Sequence, residues 1–334
     1  MALGATRSPE LAEQAGRIIA RELLAMGVNV NFAPSVDVNS NPQNPAIGIR
    51  SFGDDPAVVA ELGAAFVRGT QDAGVMASVK HFPGHGDVMV DTHHDEAIVT
   101  HDMTRLDAVE LVPFRAAIEA GTDSVMTAHI RLDALDDVYP ATLSPAVLTG
   151  LLRGRLGFDG LIITDAMDMY AASRWGRYES VQAALNAGAD LVLLAHVENQ
   201  LELVSHFSRH VRAESAARIA AARRRWDTPL PDLDMVGCAE HQSIARQIAE
   251  RSITLVRNAG QLPLNLVPDA RIAVITPKPV NLTPADNSAD VEIALADAIR
   301  QRHTRTDAYQ LDSLGDVSEL VSAVQSADVV VVGT

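Results

Sequence analysis

The chain has a single cysteine, Cys238, among 334 residues, which excludes an internal disulfide and any multi-cysteine metal site. No apolar run approaches the roughly 20 residues of a membrane-spanning helix. Positive charge is in deficit: 27 Lys and Arg face 43 Asp and Glu, for a formal net charge of −16. That balance argues against non-specific binding to nucleic acid or to an anionic membrane, and no basic patch with interleaved aromatics offsets it. No Gly-x-Gly-x-x-Gly follows a strand, so a dinucleotide site has no support. Met1-Ala-Leu-Gly-Ala-Thr lacks the basic region and apolar core of a signal peptide. With the lone cysteine, this sets a cytoplasmic location as the expectation. What is present is the ordinary mixture of a folded enzyme, 47% hydrophobic and 21% charged, in a chain long enough for more than one domain.

Short apolar strands alternate with amphipathic helices through the first two-thirds. Helical spacing is expected over 10–26, 56–73, 106–120, 145–155 and 179–187, and strands over 28–33, 77–82, 124–130, 161–166 and 190–195. Ser8-Pro9 supplies an N-cap and first-turn proline, and Gly27 a stop. Strict alternation implies a parallel sheet covered by helices. Five strands alone separate neither a (β/α)8 barrel nor an open doubly wound sheet. Polar residues at several strand ends, namely Asn31 and Asp37, Lys80 and His81, His129, and Asp165, match the convergent pattern of a barrel. A Pro-rich break at 227–238 reads as a linker. A second α/β unit follows, with a helix over 241–251, strands over 271–276 and 327–332, and a helix over 291–301.

The chemistry concentrates in Lys80-His-Phe-Pro-Gly-His-Gly-Asp-Val-Met-Val-Asp-Thr-His93. An apolar run leads into Lys80 and His81, and Pro83, Gly84 and Gly86 force an irregular loop. That loop carries His85, Asp87, Asp91, His93, His94 and Asp95. A histidine titrates near neutrality and can exchange a proton there, and a nearby carboxylate holds its tautomer. An isolated Asp91-x-His93 is more simply a surface pair, and only its loop favours chemistry. Asp165, ending the strand Leu161-Ile-Ile-Thr-Asp, fits a helix N-cap as well as a nucleophile. Lys80 is costly to bury unpaired, so it partners a loop carboxylate or a polar ligand. Arg50 is equally a loop-stabilising residue or a group reaching the same mouth. The His/Asp cluster also admits a metal centre. Its ligands crowd into one loop rather than converging from several strands, and no metal ligand is assigned.

These segments resemble glycoside hydrolase family 3, in its β-N-acetylglucosaminidase branch. The first motif with its Asp-Thr-His, the segment Leu161-Ile-Ile-Thr-Asp-Ala-Met-Asp-Met169, and Asn29 to Gly53 carry the likeness, which covers essentially the whole chain. The resemblance implies a (β/α)8-type barrel over 1–226, a linker over 227–238, and the start of an α/β/α sandwich domain over 239–334. It implies retaining hydrolysis of terminal β-linked N-acetylglucosamine from cell-wall or chitin-derived glycosides, with no cofactor. Asp165 is then the nucleophile, His93 the general acid/base and Asp91 its orienting partner, with Arg50, Lys80 and His81 binding the sugar. The expected partner is a small carbohydrate; the sequence leaves the oligomeric state open. Alternatives are a phosphorylase or β-glucosidase on the same fold, a metal-dependent barrel hydrolase, and an inactive sugar-binding fragment.

Family members begin their barrel before the segment matching Met1 to Thr6, so the chain is expected to lack the first strands and to stop within its second domain. Export of a longer parent therefore stays open. A barrel without its opening strands exposes unpaired edges. These 334 residues alone are expected to be poorly stable and weakly active or inactive, and full turnover of a nitrophenyl N-acetylglucosaminide by them contradicts that expectation.

Overall fold

A computed structural model describes residues 1–92, 95–195, 199–208, 211–223, 229–281, 293–312 and 317–333. The chain divides into two compact units, Met1–Thr254 and Leu255–Thr334. In the first, helices α1 (Ala2–Thr6) and α2 (Pro9–Ala25) precede β1 (Val30–Asn31). α3 (Pro56–Asp72) leads to β2 (Met76–Phe82) and then β3 (Ala97–Val99). α4 (Met103–Ala108) and α5 (Val112–Glu119) lead to β4 (Ser124–Thr127), β5 (Ile130–Leu132) and β6 (Asp136–Pro140). A wide helix of π type (Ala146–Arg155) leads to β7 (Leu161–Ala166). α6 (Tyr170–Ser173) and α7 (Arg177–Ala187) lead to β8 (Leu191–Leu193), followed by α8 (Gln200–Phe207), α9 (Ala213–Arg223) and α10 (Ala239–Ser252).

The main sheet has the order β1-β2-β4-β7-β8, and every pairing in it is parallel. Each new strand joins on the same side as the last, with no reversal. A doubly wound sheet needs a reversal; a curled, singly wound sheet does not. The unit is thus an α/β fold with a curled parallel sheet, and all strand C-terminal ends open on one face. The strands are apolar where they are covered: Ala77, Val79, Val125 and Ile162 are all buried.

Local chemistry explains the helix ends. Ser8 Oγ accepts the Leu11 N–H at 3.3 Å and Pro9 occupies the first turn of α2. Gly27 takes φ +79° just beyond its end, the left-handed conformation that ends helices and suits glycine. α2 and α3 pack very closely. A Cβ at Gly69 would lie 1.9 Å from the Glu13 carbonyl oxygen, and one at Gly16 2.4 Å from that of Phe66.

The structure differs from the sequence expectations at several points. The helix expected over 106–120 is split into α4 and α5, with Pro113, which has no N–H to give, in the first turn of α5. β3, β5 and β6 form a separate sheet, in the order β3-β5-β6, that the sequence pattern does not reveal. The contact boundary at Thr254 lies beyond the break read at 227–238, because α10 packs on α1 and α2. His241 on α10 is buried, with Nδ1 2.7 Å from Glu22 Oε1 on α2.

The second unit pairs β9 (Ile272–Pro277) in parallel with both β10 (Thr306–Leu311) and β11 (Val329–Val332). Its order β10-β9-β11 does reverse. Helices α11 (Leu295–Arg300) and α12 (Ser318–Val324) belong to this unit. β10 is absent from the sequence expectations, because Thr306-Asp-Ala-Tyr-Gln-Leu311 carries too few apolar residues to stand out. Among the described residues, no helix is long and apolar enough to cross a membrane.

Asp190, just before β8, ties the sheet to its covering helices. Its side chain is fully buried. It accepts the Ile162 N–H at 2.9 Å, Ser215 Oγ–H at 2.6 Å, Arg153 Nη2–H at 2.6 Å and Arg218 Nη1–H at 3.2 Å. Removing one partner from a buried ionic network leaves the others uncompensated, at a cost of about 3–5 kcal/mol. Asp190→Ala is therefore expected to lower unfolding free energy by about that amount in guanidinium titrations. A loss under about 1 kcal/mol, the size of a surface pair, contradicts the assignment.

Candidate active site

The site is built where β2 ends. The backbone from Ala33 to Val36 runs beside β2, with Ser78 N–H donating to the Ala33 carbonyl (3.1 Å), Lys80 N–H to that of Pro34 (3.2 Å), and Val36 N–H to that of Lys80 (2.8 Å). This delivers Asp37, fully buried, against the start of the loop. Its carboxylate accepts the His81 N–H (3.1 Å to each oxygen), His81 Nδ1–H (2.7 Å), the His85 N–H (2.7 Å) and Ser35 Oγ–H (2.8 Å). Burial alone would raise its pKa. The charge and hydrogen bond of His81, with help from His85, overcome burial and hold Asp37 well below the ordinary carboxylate range.

Sequence dictates the loop path. Gly84 has φ +128°, and a Cβ at Gly86 would lie 1.8 Å from the Val38 carbonyl oxygen, so the backbone passes where no other residue fits. Asn44 Nδ2–H donates to the His85 carbonyl at 2.7 Å. Asp87 is held by Ser40 Oγ–H at 2.8 Å and lies 2.5 Å from His101 Nε2.

Lys80, His81, Arg50 and Asp165 come together at this mouth. Arg50 ends a short 3-10 turn (Gly48–Arg50), and its Nη2 lies 3.4 Å from His81 Nε2. The pKa of Lys80 is lowered, first by burial and then by the Arg50 charge, against the opposing pull of Asp165 and Asp37. Asp165 lies near the end of β7, its Oδ1 accepting the Ala166 N–H at 2.8 Å. Burial works to raise its pKa, but the fields of His81 and His129, the Ala166 N–H and Lys80 outweigh it, and the net shift is downward. Asp165 is therefore ionised at neutral pH.

Asp91 is buried, and its carbonyl accepts the Asp95 N–H at 3.2 Å. His93, expected as acid/base, lies outside the described residues, as does His94. Among the described residues, no group of three or more His, Cys, Asp or Glu side chains is arranged to hold a metal ion.

Three residues stand in the site that the sequence expectations do not assign to it. Asp37 and His129 read in the sequence only as strand-end polar groups, and His85 only as one of several titratable residues in its loop. His129 is buried, with Nε2 2.9 Å from the Ala166 carbonyl and Nδ1 2.8 Å from Thr142 Oγ1. His85 is 4% exposed, its ring centroid 5.9 Å from that of His81. Burial, then the neighbouring His81, pulls its pKa from 6.5 down to about 4. Between those values the unfolded chain binds a proton that folded His85 does not, so stability falls as pH drops through that window. Denaturation at pH 7 and pH 4.5 should show the wild type losing more stability than His85→Gln; equal losses contradict the buried, neutral imidazole.

Residues 1–225 match the family model described as the glycosyl hydrolase family 3 N terminal domain. β-Hexosaminidase A of Pseudoalteromonas piscicida is 35% identical over 302 residues, 79% of this chain and 50% of that protein. A β-hexosaminidase of Stenotrophomonas maltophilia (strain R551-3) is 46% identical over 189 residues, 56% of each chain. The chain thus spans about half the length of the curated relatives it matches. A solved family 3 β-N-acetylglucosaminidase from Paenibacillus sp. str. FPU-7 superposes with a TM-score of 0.90 at 37% identity, covering 100% of this chain and 67% of that one. By its sequence match and its fold, the chain belongs to glycosyl hydrolase family 3.

Proposed function

We propose that the protein containing this chain is a retaining exo-β-N-acetylglucosaminidase. One observation carries the reading: Asp165 is held ionised at the C-terminal end of β7, with Lys80 and His81 beside it at the end of β2. An ionised carboxylate, unable to protonate a leaving group, is suited to attack an anomeric carbon. The names of the similar proteins, β-hexosaminidase and β-N-acetylglucosaminidase, support the sugar class.

In this mechanism Asp165 displaces the aglycone and forms a glycosyl ester. His93 protonates the departing oxygen and then takes the proton from the water that hydrolyses the ester. Asp91 orients His93 and stabilises its imidazolium. Lys80, His81 and Arg50 donate to sugar hydroxyls, and Asp37 keeps the His81 ring turned toward them. An imidazole acid/base departs from the paired carboxylates usual in glycosidases. The curled sheet is taken as part of a (β/α)8-type barrel, and the second unit as part of an α/β/α sandwich. Cell-wall or chitin-derived oligosaccharides supply the substrate.

In the intact protein, Asp165→Asn should lower kcat on a nitrophenyl N-acetylglucosaminide by roughly 10³-fold or more, whereas Lys80→Ala should act largely on KM. The wild type should release free N-acetylglucosamine whether or not phosphate is present. Near-wild-type turnover by Asp165→Asn overturns the nucleophile. Accumulation of a sugar 1-phosphate would make the enzyme a phosphorylase instead.

A further inference from the structure

The loop after β2 has two jobs in this reading: its first half builds the sugar-binding end, and its second half presents Asp91. Little in the sequence says how the halves are kept in register. Among the described residues, a side-chain pair joins them. His85 Nε2 lies 3.4 Å from Thr92 Oγ1, and both residues are buried, Thr92 being 2% exposed. His85 Nδ1 has no hydrogen-bond partner among the described residues, so the contact with Thr92 is the ring's side-chain anchor there. The backbone of His85 is itself pinned, its N–H by Asp37 and its carbonyl by Asn44. Thr92 is also held from the other side, its carbonyl accepting the Ala171 N–H at 3.4 Å. Ala171 lies on α6, five residues beyond the end of the strand that carries Asp165.

We infer that His85 and Thr92 are positioning residues that lock the Asp91 segment to the nucleophile strand, so that the proton donor and Asp165 address the same glycosidic bond. The inference rests on the proposed role of the Asp91 segment in proton delivery. His85 remains neutral near pH 7 because its pKa is depressed; the bond to Thr92 therefore does not come and go across the working range. Neither side chain needs to touch substrate. The consequence is selective: loss of the lock impairs protonation of the leaving group and leaves the attack by Asp165 to proceed.

Leaving-group dependence separates this role from a merely structural one. In the intact protein, Thr92→Val removes the hydroxyl at nearly constant volume, and His85→Leu removes the imidazole. Each is measured on an N-acetylglucosaminide with a dinitrophenyl leaving group, which departs without protonation, and on one with an alkyl leaving group, which needs it. The loss in kcat/KM, which reports formation of the glycosyl ester alone, should be greater on the alkyl substrate than on the dinitrophenyl substrate by about tenfold, a part of the 10²–10⁴ that general acid catalysis supplies. Thr92→Ser and His85→Gln, which keep a hydrogen-bonding group in reach, should recover most of it. The double variant Thr92→Val/His85→Leu should lose no more than the worse single one. Equal losses on both substrates, as damaged folding would give, overturn the inference. Asp91→Asn serves as reference: leaving-group dependence there but not in the other variants overturns the lock alone, and its absence in Asp91→Asn overturns the acid/base reading as well.

Discussion

Asp37 is a fully buried carboxylate whose four donors come from its own segment, from the end of β2 and from the loop that follows. A buried charge is tolerated only when it is paired and hydrogen-bonded, and here the pairing is also the construction of the site. One carboxylate fixes the His81 main chain, its ring orientation, and the start of the glycine-rich loop at His85. Its own main-chain carbonyl accepts Ser51 Oγ–H at 2.6 Å, which sets the turn that ends in Arg50. Lys80, His81 and Arg50 are positioned side chains because Asp37 cannot be moved without stranding a charge.

The second constraint is charge balance at the mouth. Burial and the Arg50 charge both weigh against a charged Lys80, and Asp165 and Asp37 offset them. The two carboxylates end with the same sign of shift, and the charge of His81 leads the stabilising causes in both. Asp37 is held in addition by direct bonds from Ser35, His81 and His85. Asp165 is stabilised chiefly by the fields of His81, His129 and Lys80, with a single bond from the adjacent Ala166 N–H. With fewer bonds than Asp37 among the described residues, Asp165 suits the attack proposed for it.

Much of this is legible in the sequence, for identifiable reasons. The strands β2, β4 and β7 are buried in a sheet and show as continuous apolar runs, which is why Lys80-His81 and Asp165 can be placed at strand ends. Ser8-Pro9 and Gly27 mark α2 through chemistry local to them. Asp37 cannot be promoted from strand-end polar residue to centre of the site, because its partners at 81 and 85 are more than forty positions away. His85 stands among other histidines and aspartates of its loop, and only burial distinguishes it. β1 is short, and the segment from Ala33 to Val36 pairs with β2 along an irregular path that no periodicity reveals. The sheet of β3, β5 and β6 consists of strands of three to five residues, below the length at which alternation can be read.

In the proposed mechanism Asp165 attacks the sugar, while the end of β2 binds it and the loop that follows manages the proton. The most direct measurement is to trap the covalent intermediate in the intact protein with a fluorinated N-acetylglucosaminyl donor and to identify the modified peptide by mass spectrometry. A single glycosyl adduct is expected on the peptide spanning Leu161 to Met169, located at Asp165 and absent from Asp165→Asn. An adduct on any other residue, or turnover with no adduct and inversion at the anomeric carbon, contradicts it.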